Sequence, residues 1–425
     1  MCKNNGVNFY MKNFGVSIIV FVFSMFILSL LENAFPCDDG STDPTITALS
    51  ETATTSIVDT TEDISDDCQQ VRLYAYEFLS DKEQQVYREI CEAIENHETE
   101  LDVMKYFITT DTMDKIRNYY SVDQVGYFWN KGTWGYKYYK ATDFVSKVNF
   151  TYCYSESEAA YMQRQIDAVV GEICADITPY MSEYEILLHV YESLIDLIDY
   201  DTFGIELYDS VEHTDDEPDD LRSIYGAFVN RKAVCTGYSK ATQYILQKYG
   251  IECAYISSIE SEDHAWNLVN IDDEYYYVDT TWGDSSNTDP EKSYPDRINY
   301  SFLCMTTAEL ACVDSHTPDD TVELPFCNSE KYNYYKNKGL YFYYADYDKF
   351  SGLIYDAFSE NEETIVFRCD NAQVLNTMKT NLIDDNYLWE YVNNICEQYS
   401  LTEPKRATYY TNDDFYLMSI TFIYE

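Results

Sequence analysis

Three side chains stand in settings that suit acyl transfer. Cys235 lies in Ala233-Val234-Cys235-Thr236-Gly237-Tyr238, at the head of a segment that reads as a helix closing at Gly250. A cysteine opening a helix feels the positive end of the dipole and the free backbone amides there, and both favour the thiolate, the reactive form. His264 lies in Asp263-His264-Ala265-Trp266-Asn267-Leu268-Val269, where it projects from the start of a strand and can serve as general base or as the cation of an ion pair with a thiolate. Asp279 lies in Tyr277-Val278-Asp279-Thr280-Thr281-Trp282 and can orient an imidazole. Each residue alone has an ordinary reading. A cysteine before a helix is more often simply buried, a histidine at a strand start is usually a packing residue, and any one aspartate means little among 75 acidic residues.

The elements that position them sharpen the reading. The segment 251–257 reads as a strand, and 265–271 with 275–280 read as a hairpin around Asp272-Asp273. If those two aspartates form a two-residue loop, Ile271 faces Glu274 and His264 faces Thr281. Asp279 then sits on the same face as His264, one diagonal step away, with β-carbons about 5.5–7 Å apart. A three-residue loop would flip the face and separate the pair.

With the cysteine followed by Gly237-Tyr238, the His264-Ala265-Trp266-Asn267 strand, and the Tyr276-Tyr277-Val278-Asp279-Thr280-Thr281-Trp282 strand in this order, 225–282 closely resembles the transglutaminase-like superfamily of papain-type thiol enzymes. A weaker likeness reaches back over the helix ending Ile198-Asp199-Tyr200-Asp201. The motifs show no departure from the family pattern. The resemblance implies an α+β fold, with the helix that bears the nucleophile packed on an antiparallel sheet. It implies Cys235 as nucleophile, His264 as base and Asp279 as its orienter, with no cofactor. Tyr200 is the candidate second donor to the oxyanion, beside the Cys235 backbone amide. The shared chemistry is thiolate attack on an amide carbonyl to give an acyl-enzyme, which water hydrolyses or an amine converts to a cross-link. Exported members of this layout resemble proteases or amidases more than cross-linkers, so the expected substrate is a peptide or protein. The alternatives are a catalytically silent binding scaffold and a cell-wall amidase of the same chemistry.

The rest of the chain frames that core. Of 425 residues, 28 are Lys or Arg and 75 are Asp or Glu, a net charge of −47. Neutralising phosphates needs clustered cations, so nucleic acid is excluded as a partner, and so is docking on anionic lipid heads. Lys3 and Lys12 precede an apolar run over 16–31, which reads as a signal peptide or an N-terminal anchor within 1–36 and places the protein at the cell surface or outside the cell. The Ser-, Thr- and Asp-rich stretch 37–69 reads as a disordered acidic linker. An N-terminal α+β region is expected over 70–180, the catalytic core over 181–315, and a small C-terminal α+β domain over 335–425. Capping boxes Ser80-Asp81-Lys82-Glu83 and Ser182-Glu183-Tyr184-Glu185 start two helices, a third covers 156–174, and the aromatic-rich 100–153 reads as short strands and turns. In the C-terminal part 366–369 and 416–424 read as strands, and 371–382 and 387–398 as helices. The 13 cysteines are scattered singly and define no particular bridge. Asp284, Asp289, Glu291 and Asp296 match no calcium loop and read as a solvated acidic loop, so no metal is assigned.

Overall fold

The computed structural model describes residues 72–132, 134–214, 216–259, 264–287 and 297–424. The expected export segment and linker, together with Asp263, Asp289, Glu291 and Asp296, lie outside the described residues. Among the described residues, no helix is long and apolar enough to cross a membrane.

The chain enters through helix α1 (Asp81–Glu95), where both halves of the Ser80–Glu83 capping box form. Strand β1 (Glu100–Asp102) and helix α2 (Thr110–Asp123) follow, then β2 (Trp134–Tyr139) and β3 (Phe144–Phe150), which pair antiparallel in the order β1-β3-β2. Helix α2 corrects the reading of 100–153 as strands and turns. Thr109 accepts from the Thr112 amide as an N-cap, and Met113, Ile116 and Tyr120 bury one helical stripe. The surrounding aromatics hid that period in the sequence.

Helices α3 (Glu156–Ile173) and α4 (Glu183–Leu197) also begin at capping boxes, on Ser155 and Ser182. Short β4 (Asp199–Tyr200), helix α5 (Thr202–Asp209) and short β5 (Lys232–Ala233) lead to α6 (Cys235–Lys248), with β4 and β5 parallel. Gly250, at φ +73°, takes the left-handed position beyond the helix end. Strands β6 (Cys253–Ser257), β7 (Ala265–Ile271) and β8 (Glu274–Val278) form an antiparallel sheet in chain order. Ile271 does face Glu274, and Asp272 and Asp273 both have positive φ, as a two-residue hairpin turn requires. Strand β8 is shorter than the sequence reading. It stops at Val278, and Asp279 caps a one-turn helix α7 (Thr280–Gly283).

The α+β core is one helical layer on this sheet. Leu187, Val190 and Leu194 of α4 meet Ala241 and Ile245 of α6 and Val269 of β7 in one buried cluster. Beyond it come α8 (Thr307–Leu310), α9 (Tyr334–Asn337), β9 (Tyr341–Phe342), α10 (Tyr347–Glu360), β10 (Thr364–Cys369), α11 (Ala372–Lys379), α12 (Leu388–Tyr399), β11 (Arg406–Asn412) and β12 (Leu417–Ile423). The last four strands pair in the order β11-β12-β10-β9 over their own apolar cluster, which includes Phe350, Ile354, Phe367 and Ile420. An Arg368–Glu309 ion pair of 2.6 Å and the Phe302–Phe415 ring contact tie this part to the core. The described residues belong to one compact unit.

Candidate active site

Cys235 is the first residue of α6, and backbone contacts set its height. Val234 ahead of it is extended, and its amide donates to the Leu221 carbonyl at 3.0 Å. The Val234 carbonyl accepts from Gly237 and Tyr238, so the helix starts with Cys235 on its rim. The Cys235 amide is left over from the helical ladder and donates to the Tyr200 hydroxyl oxygen. Burial, followed by the neighbouring Cys235, pushes the Tyr200 phenol up to about 12.

The two residues after Thr236 have structural reasons. A β-carbon on Gly237 would lie 2.7 Å from both the Leu221 carbonyl oxygen and the Ala233 side chain. We expect Gly237→Ala to lower unfolding free energy by about 1–3 kcal/mol, read by urea titration; an unchanged midpoint would contradict this packing. Tyr238 is fully buried, and its hydroxyl lies 2.8 Å from the Ile198 carbonyl oxygen and 2.9 Å from Asp284 Oδ2. Asp284 is therefore a buried acceptor, which corrects its reading as part of a solvated acidic loop.

His264 and Asp279 meet as the hairpin predicts, by a different local route. His264 Nε2 lies 2.7 Å from Asp279 Oδ2. The strand ladder ends at Asn267–Val278, so the pair is not held by β-register. Asp279 is instead fixed as an N-cap. Its Oδ1 accepts from the amides of Thr281 at 2.9 Å and Trp282 at 3.0 Å. Since Nε2 of His264 is engaged by the carboxylate, its other ring nitrogen is left for the hydrogen bond it shares with the Cys235 thiol. Asn267 braces the strand below, donating to the Ser239 carbonyl on α6 at 3.0 Å. The structure thus brings Cys235, His264, Asp279 and Tyr200 together.

The electrostatics follow from burial against pairing. Burial alone would lower His264, but the Asp279 charge overrides it and the imidazole is raised to about 10. Burial would raise Asp279, but His264 and then His316 hold it well below the usual carboxylate range. These are two views of one buried interaction and are not additive. The raised histidine contributes stability that is complete below its unfolded value of about 6.5 and lost as pH rises through about 10. The depressed aspartate contributes stability present above about 3.9 and lost as pH falls below it. The stability difference between wild type and His264→Gln should therefore be largest between about pH 4.5 and 6.5 and shrink towards pH 10, followed by urea unfolding across pH. A difference that grows with pH would reverse the assigned sign.

Sequence reasoning missed His316. Its Nε2 lies 2.8 Å from Asp279 Oδ2, the same oxygen that takes His264, and its Nδ1 lies 2.9 Å from the Asp314 carbonyl. It is buried beside Trp266, Trp282 and Phe302. No motif surrounds it, and its place after α8 is set only by tertiary packing. The one sequence signal was scarcity, since the chain has five histidines. Two imidazoles and a carboxylate within 4.8 Å of one another could also hold a metal ion, but both Nε2 atoms are already directed at one carboxylate oxygen.

A cleft of about 260 Å³ opens beside Thr236, the neighbour of Cys235. Tyr127, Phe128, Arg222, Lys240 and Tyr255 are among its walls, so the N-terminal region and the core both contribute to it.

Residues 129–284 match the family model of a transglutaminase-like domain, a little over a third of the chain. The match includes Tyr200, Cys235, His264 and Asp279, and it starts well before the motifs, within the N-terminal α+β region. The chain therefore carries an α+β transglutaminase-like domain. It is similar to a solved transglutaminase (14% identity, TM-score 0.26, covering 34% of this chain and 37% of that one). It is similar also to a protein provisionally named a cysteine protease from Cytophaga hutchinsonii (10% identity, TM-score 0.21, 32% and 52%). A third is a provisionally named protease from Parabacteroides distasonis (8% identity, TM-score 0.20, 34% and 35%). The likeness spans between a third and about half of those proteins' own length, and at this degree it assigns no chemistry. No curated protein matches the sequence.

Proposed function

We propose that this chain is an extracytoplasmic thiol enzyme that cleaves peptide or protein amides through an acyl-enzyme on Cys235. The observation that carries the reading is the continuous chain from thiol to imidazole to buried carboxylate, with His264 Nε2 2.7 Å from Asp279 Oδ2. The Cys235 thiolate attacks the amide carbonyl carbon and forms a C–S bond. The resulting oxyanion takes hydrogen bonds from the Cys235 amide and the Tyr200 hydroxyl, displacing the contact these two make with each other at rest. The His264 imidazolium gives its proton to the departing amine as the C–N bond breaks, and Asp279 holds the ring in register throughout. A water, deprotonated by His264, then attacks the thioester and releases the acid, restoring the thiolate–imidazolium pair. We take water rather than an amine as the acceptor, and the cell exterior as the place of action, from the N-terminal apolar run and the exported relatives the motifs resemble.

The test is the rate at which iodoacetamide alkylates Cys235 in the wild type and in His264→Ala, followed by peptide mapping. Alkylation at pH 7 faster than that of an ordinary thiol, lost in His264→Ala, supports the reading. Intact-mass detection of an acyl-enzyme from a peptide pool, chased with water or with cadaverine, then separates hydrolysis from cross-linking, and purified wall material tests the amidase variant. A Cys235 no more reactive than a free thiol would overturn catalysis and favour a binding scaffold.

A further inference from the structure

The reading of Cys235, His264 and Asp279 as catalytic leaves His316 without a task, although it shares the carboxylate. Both of its ring nitrogens face acceptors. Nε2 points at Asp279 Oδ2, 2.8 Å away, and Nδ1 at the Asp314 carbonyl oxygen, 2.9 Å away. A neutral imidazole has one N–H and one lone pair. In either tautomer one lone pair would then face an acceptor lone pair in a buried site. Only the imidazolium donates to both. Asp279 and His264 face it, together with the rings of Trp266, Trp282 and Phe302.

From this geometry we infer that His316 is a positioning residue held as a buried imidazolium, which shares Asp279 with His264 and tunes how firmly His264 keeps its proton. The inference rests on the catalytic reading above and deepens it. With Cys235 as the thiolate of the proposed mechanism, two imidazoliums and the carboxylate bring the cluster to zero net charge, so it carries no net penalty for an unbalanced ion. The device also moderates the base. Asp279 alone would overstabilise the His264 imidazolium and make it a reluctant acid towards the leaving amine. A second cation on the same oxygen, Oδ2, weakens that hold. His316 acts through Asp279, whose Oδ2 it meets.

Two measurements test this. The first needs only the wild type. In protein labelled with ¹⁵N-histidine, both ring nitrogens of His316 should carry protons from pH 6 to 8, with signals assigned against His264→Gln and His316→Gln. A His316 with one protonated nitrogen at pH 7 would overturn the inference. The second is the pH profile of Cys235 alkylation by iodoacetamide. Replacing the cation by a neutral donor in His316→Gln should move both limbs of the profile to higher pH by about 1 unit, because a positive charge near both titrating groups has been removed. A residue that merely fills space would leave the limbs in place, and an unmoved profile would also overturn the inference. The two readings fail separately. An unreactive wild-type Cys235 sinks the enzyme, whereas a reactive Cys235 with an unmoved profile in His316→Gln sinks only the role of His316.

Discussion

Cys235→Ala should abolish amide cleavage, with kcat reduced by at least about 10⁴-fold, and should remove the fast-alkylating thiol while the protein stays folded. The sulfur is the only atom of the triad that bonds to substrate, so nothing in the cluster can replace it. The substitution is mild for the fold. It removes one atom from the rim of α6, where the height of the backbone is set by Val234 and Gly237 rather than by the thiol. Melting temperature within a few degrees of wild type, together with the loss of activity, is the expected pair of results. Residual turnover within tenfold of wild type would place the chemistry on another of the cysteines.

Asp279→Asn should damage both activity and stability. The side chain keeps its shape, and one end can still cap α7, but the other end must meet two Nε2–H donors. The wild-type carboxylate accepts four hydrogen bonds, from Thr281, Trp282, His264 and His316, and is fully buried. An amide offers one acceptor and one donor group, so donor faces donor at one end in either orientation. His264 is driven to the wrong tautomer, and by analogy with other triads kcat should fall about 10⁴-fold. Two buried histidines lose their shared anion, and breaking a buried pair of this kind costs about 3–5 kcal/mol. Activity on a peptide substrate and urea unfolding measure the two effects. Full stability with lost activity would show that Asp279 orients without supporting the fold.

Much of this site was legible because it is local. The helix start at Cys235 and the two-residue turn at Asp272-Asp273 are short-range signals, while the roles proposed for Cys235, His264 and Asp279 came from the family resemblance. The same reasoning failed where a side chain captured backbone. It extended β8 to Thr280, because Tyr-Tyr-Tyr-Val-Asp-Thr reads as strand. The carboxylate instead takes the amides of Thr281 and Trp282 and turns the chain into a helix. Helix α2 was lost in a run of aromatics that serves helix and strand alike. His316 could not be found at all, since nothing near it in sequence carries chemistry and only the packing of the segment after α8 brings it to Asp279.

The double duty of Asp279 bears on what an intact triad means over evolutionary time. Most catalytic groups are expendable to the fold, so a lineage that abandons catalysis is free to lose them. Here the orienting carboxylate is also the cap of a helix and the counter-ion of a buried histidine, and a chain under selection only to stay folded would retain it. Its presence alone is therefore a sign of architecture before it is a sign of catalysis. Cys235, whose side chain caps no helix, is the position at which drift would first betray a descendant that had given up its chemistry.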